Sequence, residues 1–194
     1  GLFVLLKNFG LNYFSYIYLI HLIRPELSCF LEKLKVLFCI TLEILKSQKL
    51  NVIDKDVNRP WGGFFVIDEF DSQKFANIYF KGLKIEELKN SGKLSPKILI
   101  IEPFKRLSWQ YHHRRSEILR VSSGIIKVVT SHDDKEKKEI FLKSGDEIKL
   151  YQGERHRIVG TNDYAVVAEI WIHTDKDNPS DEDDIVRLQD DFDR

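Results

Sequence analysis

The sequence has no surplus of charge of either sign, because its 194 residues contain 30 Lys and Arg against 30 Asp and Glu. The two signs are interleaved along most of the chain, so no basic face is predicted and a nucleic-acid partner is not expected. Cysteine is also scarce, since only Cys29 and Cys39 are present and their spacing is not that of a metal site. With no disulfide framework and no secretory cleavage site before Pro25, the sequence predicts a cytoplasmic protein.

A long uninterrupted apolar run is missing as well, although residues 2–47 are rich in Leu, Phe, Ile and Tyr. Pro25 divides this stretch into two segments, and Lys7, Asn8 and Asn12 interrupt the first of them. A membrane-spanning helix needs about 20 consecutive apolar residues, so membrane contact is not favoured. We expect both segments to be helices that pack on the rest of the protein or on a second subunit.

The second segment has the periodicity of an amphipathic helix. Its apolar residues near helical spacing are Leu27, Phe30, Leu31, Leu34, Leu37, Phe38 and Leu45. We therefore predict an apolar helical N-terminal extension over residues 1–50 and a main domain over residues 51–194. Lys46–Asp56 is interpreted as a polar connection between them.

The main domain consists of short apolar runs typical of β-strands. The predicted strands are Phe64–Ile67, Ile98–Ile101, Ser108–His112, Ile118–Val121, Ile125–Thr130, Glu139–Leu142 and Ala165–His173. Turn sequences such as Ser144-Gly145-Asp146 separate them, and one short helix is predicted over Gly82–Ser91. Many short strands with regular turns indicate an all-β fold, a sandwich or a barrel.

Two polar clusters interrupt the predicted strands. The first is the run from Gln110 to Glu117, and the second surrounds His156. If the first run stays extended, Gln110, His112 and Arg114 share one face while Tyr111, His113 and Arg115 share the other. A closed barrel could bring His156 beside His112 and Glu117, and such a set of two imidazoles and a carboxylate suits a divalent transition metal.

The two clusters resemble the paired sequence signatures of the cupin superfamily. Six residues separate Glu117 from Gly124, and two residues separate Gly153 from His156, as in those signatures. Three blocks, Arg59–Gly62, Arg106–His113 and Glu182–Arg187, resemble the cupin domain of type II phosphomannose isomerases. The resemblance covers about residues 57–194. It implies a double-stranded β-helix, the cupin or jelly-roll barrel, with the C-terminal tail docked on it, and a homodimer.

The resemblance implies three metal ligands, His112, Glu117 and His156, for Zn, Mn or Co. Arg114, however, stands where the family has the second histidine of a pair, and a guanidinium cannot coordinate a metal. An inward Arg114 would repel the ion and could pair with Glu117 instead, so the sequence leaves metal binding open. The alternative is a buried hydrogen-bonded network of the same residues that satisfies polar groups within the barrel.

The activity that the resemblance implies is that of a sugar-phosphate aldose–ketose isomerase, most simply one that interconverts mannose 6-phosphate and fructose 6-phosphate. The catalytic candidates are His112, Arg114, Glu117 and His156. The substrate-binding candidates are Gln110 and four cations, Lys105, Arg106, Arg115 and Arg157, the cations because charge-assisted contacts suit phosphate oxygens. Two alternatives remain: a non-catalytic module that binds a sugar or nucleotide sugar, and a metal-independent sugar epimerase or ketoisomerase that uses His112 or His156 as its base.

Overall fold

The computed structural model describes residues 30–88 and 93–192. The chain divides into two units, Gly1–Ile44 and Leu45–Arg194. Helix α1 (Phe30–Ser47) buries Leu34, Leu37 and Phe38 and exposes Lys35, so the predicted amphipathic helix is confirmed from Phe30 onward. The predicted first segment, residues 2–23, lies outside the described residues. In the described ranges, no helix combines the length and the apolar character that crossing a membrane requires.

The second unit is built from two antiparallel sheets. Its strands are β1 (Val52–Arg59), β2 (Gly62–Ile67), β3 (Lys97–Ile101), β4 (Trp109–His112), β5 (Arg115–Ser123), β6 (Ile125–Ser131), β7 (Lys138–Lys143), β8 (Glu147–Leu150), β9 (Arg155–Gly160), β10 (Ala165–His173) and β11 (Ile185–Gln189). One sheet has six strands in the order β1-β2-β3-β10-β5-β8, and the other has five in the order β11-β4-β9-β6-β7. The predicted all-β barrel with an N-terminal helix is confirmed.

The space between the sheets changes character along the strands. Strand β10 pairs with β5 so that Val167 lies opposite Val121, Glu169 opposite Leu119 and Trp171 opposite Glu117. Val167, Val121 and Leu119 belong to an apolar core shared by both sheets. Because side chains alternate across a strand, Glu117, Glu169 and Trp171 point to this same inner side. One end of the interior is therefore apolar, and the other end carries charge.

Two local predictions are wrong. The predicted helix over Gly82–Ser91 is only a 3-10 turn at Ile85–Glu87 within the described residues, whereas helix α2 forms earlier, at Ser72–Tyr79. Helix α2 has a stripe of buried Phe75 and Ala76. The connection predicted over Lys46–Asp56 is also shorter than expected, because β1 already begins at Val52 as the edge strand beside β2. Edge strands often carry charged side chains, so the alternation of apolar and polar residues that predicts a strand is weak in β1.

The acidic C-terminal tail returns to the barrel as a strand. Ile185 pairs with His112 and Val186 with Tyr111, which makes β11 the edge neighbour of β4. Ile185 and Val186 are partly buried, whereas Leu188 is 39% exposed. A 3-10 turn at Glu182–Asp184 precedes the strand. The tail thus reaches the charged end of the barrel.

Candidate functional site

A bend between β4 and β5 decides which basic side chain enters the barrel. Strand β4 ends at His112 and β5 begins at Arg115, so His113 and Arg114 interrupt the extended chain. The carboxylate of Asp184 holds this bend by accepting hydrogen bonds from the backbone N–H groups of His113 at 3.2 Å and Arg114 at 3.0 Å. The side chains that follow His112 therefore do not alternate between two faces as they would in an extended strand.

Arg114 leaves the interior at this bend, and the expectation that it shares a face with His112 is wrong. Its Nε donates to Asp184 at 3.3 Å, and its other nitrogens donate to Asn178 and, at 3.1 Å, to Asp181. All three partners belong to the tail. The objection that Arg114 would repel a metal does not apply to this geometry.

Arg115 takes the inward position instead, and only 1% of it is exposed. Its Nε donates to Glu117 Oε1 at 2.8 Å, and its Nη2 donates to His112 Nε2 at 3.2 Å. Its Nη1 donates to the hydroxyl of Ser180 and to the carbonyl of Asp181, both at 3.0 Å. The guanidinium carbon lies 3.5 Å from the centre of the Trp171 ring, a cation–π contact. Arg115 is therefore fixed on every side.

Glu117 is the centre of the cluster. Its Oε1 lies 3.2 Å from His112 Nε2, and its Oε2 lies 3.3 Å from His156 Nε2. Both imidazole rings are almost fully buried, with ring centres 5.1 Å apart. The second nitrogen of His156, Nδ1, lies 3.0 Å from the carbonyl of Glu154, which fixes the ring orientation. The predicted meeting of His112, Glu117 and His156 is thus observed.

The charges of this cluster are set by burial and by the neighbours. Burial raises the pKa of Glu117, but the contacts with His112 and Arg115 outweigh this, so its pKa lies well below the ordinary value. Burial lowers the pKa of His112. Burial also acts to lower the pKa of His156, but the Glu117 carboxylate reverses that effect and the pKa is raised. Glu117 is therefore an ionised carboxylate between one neutral imidazole and one that protonates more readily.

The donor atoms of these three residues fit a divalent metal ion. One ligand atom from each lies within 4.8 Å of the others. Two imidazoles and one carboxylate form the protein ligand set of some catalytic zinc sites, which keep further positions open. The Arg115 guanidinium contacts two of the same donors, so ion binding requires it to yield some of its contacts with Glu117 and His112. The cluster could hold a metal ion, and Arg115 competes with that ion for the donor atoms of Glu117 and His112.

A pocket opens beside this cluster, with about 520 Å³ of free space that includes some open solvent. Its wall consists of Arg59, Trp61, Phe64, Lys97, Leu99, Leu107, Ser108, Gln110, Arg115, Glu117, Glu169, Trp171, Glu182, Ile185 and Arg187. Within the described residues, His112 and His156 are not part of this wall. A ligand in the pocket thus meets the Arg115 and Glu117 side of the cluster.

Comparison with known proteins decides the family. The family model described as the C-terminal domain of mannose-6-phosphate isomerase matches residues 71–190. The chain belongs to this family. The resemblance inferred from the sequence is therefore confirmed. No curated protein matches the chain in sequence.

Solved structures resemble this family member in fold. The capsular polysaccharide assembling protein CapF from Staphylococcus aureus has a TM-score of 0.50 and 15% identity over 72% of this chain and 34% of CapF. Vicilin from hazelnut, Corylus avellana, has a TM-score of 0.48 and 14% identity over 66% of this chain and 34% of vicilin. A cupin 2 conserved barrel domain protein from Salinispora arenicola has a TM-score of 0.35 and 20% identity over 40% of this chain and 61% of its own. The chain spans about a third of CapF and of vicilin.

Three of the predicted substrate-binding residues lie away from the pocket of this mannose-6-phosphate isomerase family domain. Lys105 is exposed, and Arg106 donates from Nη2 to the Asp191 carboxylate at 2.7 Å. Arg157 is buried against Glu136, with 2.9 Å between Nη1 and Oε1. Of the predicted set, Gln110 and Arg115 line the pocket.

The sequence argument missed five charged residues of the wall, namely Arg59, Lys97, Glu169, Glu182 and Arg187. A signal existed for two of them, because Lys97 and Glu169 are single charges next to apolar strand residues. Buried strands rarely carry an unexplained charge. Arg59 enters through the turn to β2, where Gly62 has φ +134° and a Cβ would lie 2.0 Å from the carbonyl of Ile100. Only glycine fits that turn.

Proposed function

We propose that this domain is a sugar-phosphate aldose–ketose isomerase, most simply for mannose 6-phosphate and fructose 6-phosphate. The observation that carries the proposal is the pocket wall, which places four cations beside three carboxylates at the charged end of a barrel of the mannose-6-phosphate isomerase family. The reaction needs a cation for the phosphate, an electrophile for the enediolate oxygen and a base that moves a proton. The wall carries residue types suited to all three roles.

Arg187 is the best candidate for the phosphate. The other cations of the wall have anionic partners: Lys97 contacts Glu182 at 3.0 Å, Arg115 contacts Glu117 at 2.8 Å and Arg59 contacts Asp56 at 2.8 Å. The Nε of Arg187 is buried and has no hydrogen-bond partner in the described part of the chain. A phosphate oxygen would satisfy this donor through a charge-assisted hydrogen bond.

The electrophile would be Arg115 while its contacts with Glu117 and His112 are intact, or a metal ion that displaces them. The Arg115 guanidinium is held rigidly at the wall and can stabilise an oxyanion without reorganising. When bound, a divalent ion held by His112, Glu117 and His156 would polarise the substrate carbonyl. The aromatic rings of Trp61 and Phe64 at the wall suit the apolar face of a sugar ring.

A coupled assay with purified protein tests the activity. We expect it to interconvert mannose 6-phosphate and fructose 6-phosphate, with a panel of other hexose and heptose phosphates as comparison substrates. If no sugar phosphate is converted while a sugar phosphate still raises the melting temperature, the domain is a binding module and the isomerase proposal fails. The homodimer and the cytoplasmic location stay predictions.

The phosphate role of Arg187 gives a first prediction. Arg187→Leu should raise KM for the sugar phosphate by about 10- to 100-fold, because a charge-assisted hydrogen bond contributes about 1.5–3 kcal/mol. The kcat should change much less, since the phosphate does not react. Lys105→Ala, which removes an exposed cation outside the pocket, is the control and should leave both constants unchanged. An unaltered KM in a folded Arg187→Leu variant would exclude the assignment.

The metal gives a second prediction. After incubation with Zn²⁺ and removal of excess ion, elemental analysis should find about one ion per chain, because three suitable donors converge. His156→Gln should reduce this stoichiometry strongly. His132→Gln removes an exposed imidazole outside the cluster and should retain the ion. Equal and substoichiometric metal in all three proteins would favour the hydrogen-bonded network instead.

A further inference from the structure

Glu169 is a buried carboxyl group that faces the pocket from the middle of the larger sheet. It lies on β10, opposite Lys97 of β3 on one side and Leu119 of β5 on the other. Only 6% of the residue is exposed, and it forms part of the pocket wall. A carboxyl group at such a position is costly for the fold unless it is paired or neutral.

Glu169 has no such pairing partner in residues 30–88 and 93–192. Lys97 lies directly across the strand pair, but its ammonium bonds to Glu182 at 3.0 Å and lies 3.4 Å from the centre of the Trp171 ring. No hydrogen bond or ion pair joins the Glu169 carboxyl to any described group. Its oxygens are therefore free to exchange a proton with a molecule in the pocket.

The other acid–base groups near the pocket are less suited to proton transfer. Glu117 is bonded to Arg115 and stays ionised, which makes it a weak base. The Glu182 side chain is 54% exposed and paired with Lys97, and the pKa of Glu182 is lowered. His112 and His156 are buried outside the pocket wall. By contrast, burial and then the charge of Glu117 raise the pKa of Glu169 to about 7.

We propose that Glu169 is the catalytic residue that moves the proton between C1 and C2 of the sugar. This rests on the proposed isomerase function. The Glu169 carboxylate takes the proton from C2 of the aldose, the electrons of the C–H bond form the C1–C2 double bond, and the electron pair of the C1=O1 π bond moves to O1, which becomes the negative oxygen of the enediolate. The O2 hydroxyl proton then passes to O1, the O2 electrons form the C2=O2 bond of the ketose, and the electrons of the C1–C2 double bond take the proton back from the Glu169 carboxyl group at C1. No oxidant or reductant is needed, and Arg115 stabilises the negative oxygen.

The test is the pair Glu169→Gln and Glu147→Gln. Glu169→Gln should lower kcat by about 10²- to 10⁴-fold with little change in KM, because it removes the acid–base group and keeps the shape. It should also abolish the exchange of the C2 hydrogen of mannose 6-phosphate with ²H₂O, followed by NMR. Glu147, on β8 outside the pocket, pairs with Arg120, so Glu147→Gln should retain full activity and exchange.

The pH profile gives a second readout. In the wild type, kcat/KM should rise with pH through about 7, because the carboxylate form is the base. The charged groups that face Glu169 are Glu117, Lys97, Arg115 and Glu182. Glu117 and Glu182 titrate below their ordinary range and stay ionised in this window. Any residual activity of Glu169→Gln should not show this rise of kcat/KM with pH.

The two proposals fail in different ways. If wild-type protein converts no sugar phosphate, the isomerase function fails. If the wild type is active and Glu169→Gln keeps the wild-type kcat, the rise of kcat/KM with pH and the exchange of the C2 hydrogen, the proposed role of Glu169 is wrong. Misfolding is checked by thermal unfolding at pH 8. Because the raised pKa means that the folded state disfavours the ionised Glu169, the Gln variant should melt no lower than the wild type there.

Discussion

Arg115→Met is expected to lower the free energy of unfolding by about 3–5 kcal/mol, because removing one partner of a buried ion pair leaves the other charge uncompensated. The charge left behind is that of Glu117, which is buried and receives the Arg115 Nε–H at 2.8 Å. The substitution also leaves the hydroxyl of Ser180 and the carbonyl of Asp181 without the guanidinium that they now contact. Urea unfolding followed by circular dichroism measures the loss.

Arg120→Met is the matched control on the same strand. Arg120 is partly exposed and lies 3.5 Å from Glu147 on β8, so its loss should cost less than about 1 kcal/mol. Equal costs for the two variants would show that the Arg115 pair contributes no more than a surface pair. Unfolding in the presence of Zn²⁺ adds a second comparison. An ion at His112, Glu117 and His156 would supply the missing positive charge and restore part of the stability of Arg115→Met.

Asp184→Ala is expected to lower the free energy of unfolding by about 2–4 kcal/mol, because several buried donors lose their acceptor together. Asp184 accepts from the backbone N–H groups of His113 and Arg114, from Arg114 Nε and, at 2.6 Å, from the Ser180 hydroxyl. The same contacts hold the bend that turns Arg115 inward. The variant should therefore lose the proposed isomerase activity as well as stability.

Asp183→Ala provides the control, because Asp183 is the exposed neighbour in the same turn. It should unfold like the wild type, within about 0.5 kcal/mol. A shared loss in both variants would indicate that the turn, and not the Asp184 carboxylate, is responsible. No loss in Asp184→Ala would show that water replaces the carboxylate.

The stability that Asp184 contributes should depend on pH. Burial raises the pKa of Asp184, but the hydrogen bonds from Ser180 and Arg114 outweigh it, so the pKa is lowered in the folded state. Such a group stabilises the fold above its unfolded pKa of about 3.9, and this contribution is lost as the pH falls through the folded value. The difference between wild type and Asp184→Ala should therefore shrink below about pH 4.

The sequence allowed the barrel to be predicted because strands such as β3 and β10 are mostly apolar. All of β10 is buried between β3 and β5, so Ala165–His173 reads as one apolar run. The edge strand β1 and the tail strand β11 carry charged residues and pair only on one side, so their alternation is weak. Strand β9 was missed although it lies between β4 and β6, because Arg155, His156 and Arg157 interrupt its apolar pattern, whereas the edge strand β7 was found.

The metal-ligand candidates were predicted from the two motifs of a closed barrel, whereas the basic residues of the pocket were mostly missed. His112, Glu117 and His156 meet as the closed barrel and the two motifs implied. The exchange of Arg114 for Arg115 could not be foreseen, because Asp184, about 70 residues later, makes the bend. Arg59, Lys97 and Arg187 come from β1, β3 and β11, three separate strands. Only the closed barrel brings these cations to one pocket.

The cation–π contacts at Trp171 should allow ligand binding in the pocket to be followed by tryptophan fluorescence. The ammonium of Lys97 lies 3.4 Å from the centre of this indole ring, and the guanidinium carbon of Arg115 lies 3.5 Å from it. An anionic ligand that enters beside these cations changes the electric field at the indole. The tryptophan fluorescence of the protein, to which Trp61 of the same wall also contributes, should therefore respond to ligand entry, which gives a binding signal that needs neither turnover nor a label.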